Sequence, residues 1–285
     1  MSGYFLDAVA PALHARLEAL LTKRLVFFAG LPATGKSLLV HQLAHLAVAR
    51  GIEVSLLQWD VARPALEASA AGRAHPMVEG ITTPVVRRAV GLWARDAVAA
   101  WREAHRDGDA ILIGETPFVG GRLVELARPE NDAAEAAFRR TDCVFVLATP
   151  SETVRAHIER ERARRTVAPL HPREREDAPP AVLNDSWREL VGAAAMLGLT
   201  APASRERYAA ALYIGAYSRL LRYRNLEVID LNVTLPTQSH SVYDYEVACT
   251  SLLPTAEEAA RYIAAAEGEL AATGTLRTVE RWWDY

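Results

Sequence analysis

One short stretch of the chain, residues 30–38, combines residue types that bind phosphate. It consists of GLPATGKSL, in which Gly30, Gly35, Lys36 and Ser37 fit the Walker A spacing G-x-x-x-x-G-K-[ST]. In such a loop, backbone N–H groups surround phosphate oxygens, the lysine reaches the terminal phosphates and the hydroxyl binds Mg²⁺. The spacing therefore predicts a nucleotide site. Its predicted members are Gly30, Ala33, Thr34, Gly35, Lys36, Ser37 and Leu38.

The distribution of lysine supports this prediction. The chain has 32 basic residues, and only Lys23 and Lys36 among them are lysines, the others being arginines. A compact ammonium group on a flexible stem reaches between phosphates as a point charge, whereas a planar guanidinium is bulkier. A lysine at position 36 of so arginine-rich a chain therefore favours a phosphate-binding role.

Two acidic residues end apolar segments that have the pattern of buried strands. Asp60 ends the segment 53–60, and Glu115 ends the segment 110–115. Phosphoryl transfer needs a base for the attacking hydroxyl and ligands for a metal ion, and the ends of parallel strands are where such groups meet. We predict Asp60 as the base and Glu115 as a Mg²⁺ ligand with Ser37 that also contacts substrate. The alternative is that each acid only caps the turn that follows it.

Two arginines near these acids are candidates for binding the substrate. Arg63 lies three residues after Asp60 and could hold an anionic group of an acceptor, or it could form a structural ion pair. Arg122 follows the pair Gly120–Gly121, where the backbone permits close approach of a ligand. For Arg122 the alternative is a simple turn before a helix.

The segment 151–177 is rich in arginine and follows the fourth predicted strand. A segment that closes over bound phosphates excludes water, and its arginines offset charge on the transferred group. We predict that Arg162 and Arg165 reach the phosphates as catalytic residues of this lid. The interleaved glutamates indicate that other arginines of the segment belong to a solvated salt-bridge helix.

Five short apolar segments must position these residues, and helical patterns separate them. The predicted strands cover residues 24–30, 53–60, 110–115, 143–150 and 226–233. Alternation of buried strands with helices is typical of a parallel sheet with right-handed crossovers. We therefore predict an α/β protein with the three-layer P-loop NTPase fold and a five-stranded parallel sheet.

The whole chain, 1–285, is predicted to be a single domain. Residues 151–224 form its arginine-rich lid and helical insertion, with helices near 186–197 and 204–223. Ser/Thr-to-Glu spacing predicts helix caps at Thr149, Ser186 and Thr255. The two tryptophans of the segment RWWDY, Trp282 and Trp283, could dock on the body of the protein or bind a ligand, with docking the favoured interpretation.

Composition restricts the partners and the environment of the protein. The formal net charge is −3, which provides no general attraction to nucleic acid or to anionic membranes. No apolar run approaches the roughly 18 residues of a membrane span. Cys143 lies within an apolar strand pattern and is predicted to be a buried, reduced thiol. A cytoplasmic protein that does not act at a membrane is expected, and no oligomeric state is predicted.

The chain resembles a known family over residues 24–76. The phosphate loop, the D-x-x-R element of Asp60 and Arg63, and the pair His75-Pro76 are similar to P-loop kinases related to polynucleotide kinase and the zeta toxins. This resemblance implies that Asp60 activates an acceptor hydroxyl and that Arg63 contacts a substrate phosphate. Glu115 departs from the aspartate that is more usual in phosphate-loop proteins.

An ATP-dependent kinase that phosphorylates a hydroxyl of a small molecule is the expected function, with ATP and Mg²⁺ as donor and cofactor. Nucleoside, nucleotide or polynucleotide 5′-hydroxyl kinases are alternatives, although the acidic balance makes a nucleic-acid acceptor the less favoured one. A nucleotide-dependent switch is the alternative from another class. It needs neither an acceptor pocket nor an arginine lid. GTP as donor is disfavoured because the chain lacks an Asn/Thr-Lys-x-Asp element.

Overall fold

The computed structural model describes residues 4–200, 207–235 and 240–285, in which strands and helices alternate along the chain. The strands of these ranges are β1 (Leu25–Ala29), β2 (Glu53–Gln58), β3 (Ala110–Thr116), β4 (Cys143–Pro150), β5 (Leu226–Leu231) and β6 (Thr250–Ser251). They form one open sheet in the order β5-β4-β1-β3-β2-β6, and all pairs are parallel. The α/β class is therefore confirmed.

The predicted number of five strands is wrong, because β6 adds a sixth strand beside β2. This strand contains two residues only, and a two-residue strand has no periodicity that a sequence pattern could reveal. The other five strands coincide with the predicted segments, except that β2 ends at Gln58, before Asp60.

Helices cover both faces of this sheet. The α-helices of the described ranges are α1 (Leu6–Val9), α2 (Pro11–Leu20), α3 (Lys36–Ala49), α4 (Trp59–Ala68), α5 (Pro84–Ala104), α6 (Ala133–Phe138), α7 (Glu152–Val167), α8 (Pro180–Met196), α9 (Ala210–Leu220), α10 (Ala256–Thr273) and α11 (Arg277–Glu280). Phe27 of β1 belongs to an apolar cluster with residues of α5, α8 and α9. Its neighbour Phe28 belongs to a second cluster with residues of α2 and α3. Because alternate residues of a strand point to opposite faces, the sheet lies between two helical layers.

The helical insertion shares the core of the sheet. Trp187 of α8 and Tyr213 and Tyr217 of α9 are almost fully buried in the same cluster as Phe27. Trp282 is also buried there, and its indole N–H donates to Glu189 Oε1 at 3.0 Å. The predicted docking of this tryptophan on the body is therefore confirmed.

The three predicted helix caps have different outcomes. Thr255 caps α10 by accepting a hydrogen bond from Glu258 N–H at 3.2 Å, as predicted. Thr149 lies within β4, and Ser151 caps α7 in its place. Ser186 lies inside α8, because the proline at position 180 occupies the first turn, where its fixed φ favours helix initiation.

A buried carboxylate joins α5 to the segment that follows β3. Glu125 is fully buried, and its Oε1 accepts a hydrogen bond from Arg88 of α5 at 3.1 Å. Arg88 also donates to Glu269 of α10 at 2.8 Å. A Cβ atom placed on Gly91 would lie 1.8 Å from Glu125 Oε2. The carboxylate thus requires a glycine in the interior of α5.

We expect Gly91→Ala to lower the free energy of unfolding by about 2 kcal/mol, because the added methyl group overpacks a closed site. Gly268→Ala is the matched control, since Gly268 lies within α10 and a Cβ atom added there would have nothing within 4 Å. That change should stabilise the protein by up to about 1 kcal/mol through helix propensity. Urea denaturation measures both values. If Gly91→Ala costs as much in a Glu125→Ala background, the contact with Glu125 is not its cause.

Candidate functional site

The glycine-rich loop (residues 30–35) joins β1 to α3. Ala33 and Gly35 have left-handed backbone conformations, with φ of 60° and 86°. Such conformations next to right-handed ones turn successive N–H groups toward one side, which forms an anion-binding concavity. Gly35 is also the N-cap of α3, and no side chain of the described residues caps this helix. The first N–H groups of a 14-residue helix are therefore free to bind an anion.

Three polar side chains meet at the end of this loop. Lys36 Nζ donates to the carbonyl oxygen of Leu31 at 2.7 Å and lies 3.5 Å from Glu115 Oε1. Ser37 Oγ donates to the same Glu115 oxygen at 3.2 Å. The structure thus brings the carboxylate of Glu115 to the adjacent ammonium and hydroxyl groups of Lys36 and Ser37, which lie far from it in sequence.

The ammonium group of Lys36 is buried, with 4% of the residue exposed. Burial lowers the pKa of Lys36, and the neighbouring carboxylate of Glu115 opposes this shift. A buried charge is stable only with a counter-charge close by. A second anion bound in the loop would therefore stabilise the protonated lysine further.

Two of the predicted nucleotide-binding residues shape the loop from behind and do not line the cleft. Thr34 is fully buried and donates to the carbonyl oxygen of Leu31 at 2.9 Å. A Cβ atom on Gly30 would lie 2.0 Å from the hydroxyl of Tyr213, which packs beneath the loop from α9. Gly30 is thus required by close packing as well as by its positive φ.

Arg155 supports the loop from the other side, a role that sequence reasoning missed. Its Nη1 donates to the carbonyl oxygen of Pro32 at 2.6 Å, and its Nε donates to Glu159 at 2.6 Å. Arg155 is 3% exposed and lies over the ring of Tyr208. This guanidinium group therefore ties α7 to the loop.

A cleft of about 470 Å³ opens beside the loop, between α4, α7 and the segments that follow β3 and β5. It brings together most of the predicted site residues. Those that line it are Ala33, Gly35, Lys36, Ser37, Leu38, Asp60, Arg63, Glu115, Arg122, Arg162 and Arg165. The predicted residues thus share one continuous space.

Asp60 lies in the first turn of α4 rather than at the end of a strand. Solvent reaches its carboxyl group through the cleft, and no ion pair involves it within the described ranges. Because protein surrounds it otherwise, burial raises the pKa of Asp60, and the nearby charge of Glu115 adds to this effect. The cations Arg63, Arg122 and Lys36 oppose it. A carboxylate whose pKa is raised accepts a proton more readily than an ordinary aspartate.

Arg63 lines the cleft, but its guanidinium group forms an ion pair within the protein, which was the alternative to a substrate-binding role. Its Nη1 lies 2.5 Å from Glu67 Oε2, one helical turn further along α4. The other oxygen of Glu67 accepts a hydrogen bond from Thr82 at 3.1 Å. The charge of Arg63 is therefore largely neutralised before any ligand binds.

The two predicted lid arginines, Arg162 and Arg165, also differ in whether a carboxylate neutralises their charge. Arg165 is 9% exposed, lies 3.0 Å from Glu174 Oε1 and donates to the carbonyl oxygen of His240 at 3.2 Å. It thus holds α7 to two neighbouring segments. Arg162 has a single long contact, 3.5 Å to the carbonyl oxygen of Ala178, and no carboxylate partner among the described residues. Arg162 is the better placed of the two to receive an anion.

Several residues that line the cleft have no counterpart in the sequence predictions. They are chiefly Trp59, Thr82, His157, Val233 and Tyr243. Trp59 adjoins Asp60, so the motif itself could have indicated it. Tyr243 donates to Asp177 at 2.7 Å and lies far from any motif. His75, part of the family resemblance, pairs with Glu267 at 2.7 Å and does not line the cleft.

The donor atoms of the cleft are compatible with Mg²⁺. Ser37 Oγ and Glu115 Oε1 are oxygen ligands 3.2 Å apart. Mg²⁺ in nucleotide sites takes one or two protein oxygens and completes its shell with phosphates and water. Within the described ranges no three His, Cys, Asp or Glu side chains form a metal cluster, so a cation here would depend on a phosphate ligand.

Comparison with known proteins does not place the chain in a family. No protein-family model matches it, and no curated protein is significantly similar to it in sequence. Among the described residues, no helix has both the length and the apolar character needed to cross a membrane. Function must therefore be inferred from the chemistry of the cleft.

We expect Asp60→Asn to increase the stability of the protein at pH 8. Where the pKa of an acid is higher in the folded than in the unfolded state, the protein loses stability as the pH rises from the unfolded-state pKa through the folded-state pKa. The uncharged asparagine lacks this penalty. Urea denaturation at pH 5 and pH 8 should show an advantage that is larger at pH 8. An advantage that does not depend on pH would contradict the raised pKa of Asp60.

Proposed function

We propose that the protein is a P-loop kinase that transfers the γ-phosphoryl group of ATP to a hydroxyl of a small molecule. One observation carries the proposal. Lys36, Ser37 and Glu115 meet within 3.5 Å at the end of the glycine-rich loop, in the same cleft as Asp60. The first three residues suit a nucleotide with its metal ion, and the carboxylate of Asp60 suits an acceptor hydroxyl.

The loop side of the cleft would bind the donor. Backbone N–H groups of the loop and of α3 would hold the phosphates, with Lys36 at the terminal ones. Mg²⁺, held by oxygens of Ser37 and Glu115, would supply positive charge to the phosphate oxygens. Apolar side chains after β5, such as Val233 and Leu235, line the cleft and suit the face of a base.

The opposite side would bind the acceptor. Asp60 accepts the proton of the hydroxyl as its oxygen attacks the γ-phosphorus. The new O–P bond forms while the bond from phosphorus to the β-γ bridging oxygen breaks, and ADP leaves. Lys36 and Arg162 would stabilise charge on the transferred group. A raised pKa suits Asp60 for this task, since a base is most effective when its pKa approaches the working pH.

A nucleic-acid acceptor receives no support from the overall charge, which is −3. A nucleotide-dependent switch would not require Asp60 and Arg122 to line a space beside the loop. These features favour a small acceptor.

The first test is transfer itself. The protein is incubated with ATP, Mg²⁺ and pooled metabolites, and ADP formation is followed. We expect turnover that depends on an acceptor. Asp60→Asn should keep ATP affinity but lose transfer by a factor of about 10²–10⁴, the usual contribution of a general base. Asp185→Asn is the control, because Asp185 is exposed on α8 and does not line the cleft. Slow hydrolysis that no acceptor stimulates would favour the switch.

The second test concerns the loop lysine. Lys36→Ala should weaken binding of a fluorescent ATP analogue at least about tenfold, because it removes the cation at the terminal phosphates. Lys23→Ala is a matched control, since the ammonium group of this other lysine, among the residues that the structure describes, donates to the carbonyl oxygen of Thr141 and to nothing in the cleft. Equal affinities of the two variants would show that the nucleotide does not bind at the glycine-rich loop.

A further inference from the structure

The acceptor side of the cleft contains two arginines, and only one of them is paired with a carboxylate among the described residues. Arg63 is neutralised by Glu67 at 2.5 Å. Arg122 has no ion pair and donates no side-chain hydrogen bond to any residue that the structure describes. Both line the cleft together with Asp60. The donors of the Arg122 side chain are therefore all available to an anion, whereas Glu67 already occupies part of the Arg63 guanidinium group.

The backbone holds Arg122 in place. A short antiparallel bridge links it to Phe118, with Phe118 N–H donating to the carbonyl oxygen of Arg122 at 2.9 Å. Phe118 and Leu123 adopt left-handed conformations, with φ of 62° and 61°, although both carry bulky side chains. Such conformations are costly for residues other than glycine and persist only where the surroundings enforce them. Both are fully buried, so packing enforces this loop.

Charged side chains lie near Arg122, but none of the described residues forms an ion pair with it. Glu189 is the acid near Gly120, but its Oε1 accepts the indole N–H of Trp282 at 3.0 Å. Arg87 lies on the same side and donates to the carbonyl oxygen of Gly120. Burial lowers the pKa of Arg87 and Arg122 lowers it further, whereas Glu189, Glu280 and Glu125 raise it. Two cations thus lie at this end of the cleft, and a bound anion would be attracted to both.

We propose that the acceptor is an alcohol bearing an anionic group, a carboxylate or a phosphate monoester, and that Arg122 binds this group while Asp60 faces the hydroxyl. This inference rests on the proposed kinase function. It reassigns the anion-binding role that the family resemblance gives to Arg63. A guanidinium group binds both kinds of anion with two parallel hydrogen bonds, so the two share one recognition chemistry.

The kinetic test compares matched acceptors and matched variants. Sets of polyols, their acids, their phosphate monoesters and their amino derivatives are offered with ATP and Mg²⁺. The anionic members should be phosphorylated best. Arg122→Gln should raise KM for them at least about tenfold while leaving KM for ATP within about twofold. Arg63→Gln should raise the acceptor KM by less than about threefold. Arg188→Gln, an exposed arginine of α8, is the control.

The outcomes separate this inference from the proposed function. Transfer only to neutral or cationic alcohols would overturn the anionic acceptor and leave the kinase intact. Hydrolysis without transfer to any alcohol would overturn the kinase. The relative turnover of acids and phosphate monoesters identifies which anion the site accepts.

A binding measurement decides the role of Arg122 without turnover. Mg²⁺ and a non-hydrolysable ATP analogue saturate the donor side, and inorganic phosphate or acetate is then titrated while the melting temperature is followed. A further rise with one of these anions that disappears in Arg122→Gln and remains in Arg63→Gln is the expected result. No rise with either anion, or a rise that survives Arg122→Gln, would overturn the inference.

Discussion

The rest of the site depends on one interaction, between a buried ammonium group and a carboxylate at the carboxyl ends of two central strands of the parallel sheet. Lys36 is 4% exposed, and its Nζ lies 3.5 Å from Glu115 Oε1. Such a charge would be costly to bury alone, so the counter-charge must be held firmly. Adjacency of β1 and β3 provides this, because Phe28 pairs in register with Glu115 just before the loop begins. The sheet thus places the loop and its acidic partner side by side.

Arginine serves two purposes in this molecule, and pairing with carboxylates distinguishes them. Structural arginines are buried against acids, as Arg95 is against Asp132 and Arg224 against Glu135. These pairs fix loops and helices to the core, and Arg165 with Glu174 does the same between α7 and its neighbours. Arg122 and Arg162 line the cleft without a carboxylate partner among the described residues. A guanidinium group without a counter-charge beside a cavity is where an anionic ligand gains most.

Predictions from local sequence patterns were correct for features that depend on neighbouring residues. Continuous apolar runs located five strands, since buried parallel strands need such runs, and a Ser/Thr-to-Glu spacing located the cap at Thr255. The same spacing failed at Ser186, where the preceding proline starts the helix earlier. The strand β6 was missed because two residues carry no pattern. Arg155 was missed because its partner, the carbonyl oxygen of Pro32, belongs to a distant segment.

The amino-acid sequence by itself determined the α/β class and the glycine-rich loop with Lys36 and Ser37, because strand periodicity and loop spacing are properties of neighbouring residues. It also placed Asp60, Arg63 and Arg122 among the candidates. Only the tertiary structure decided which candidates share a cleft and which of their charges are already neutralised. The physical reason is that electrostatic pairing depends on distance in space, as the 2.5 Å contact of Arg63 with Glu67 shows, and motif spacing alone does not specify that distance.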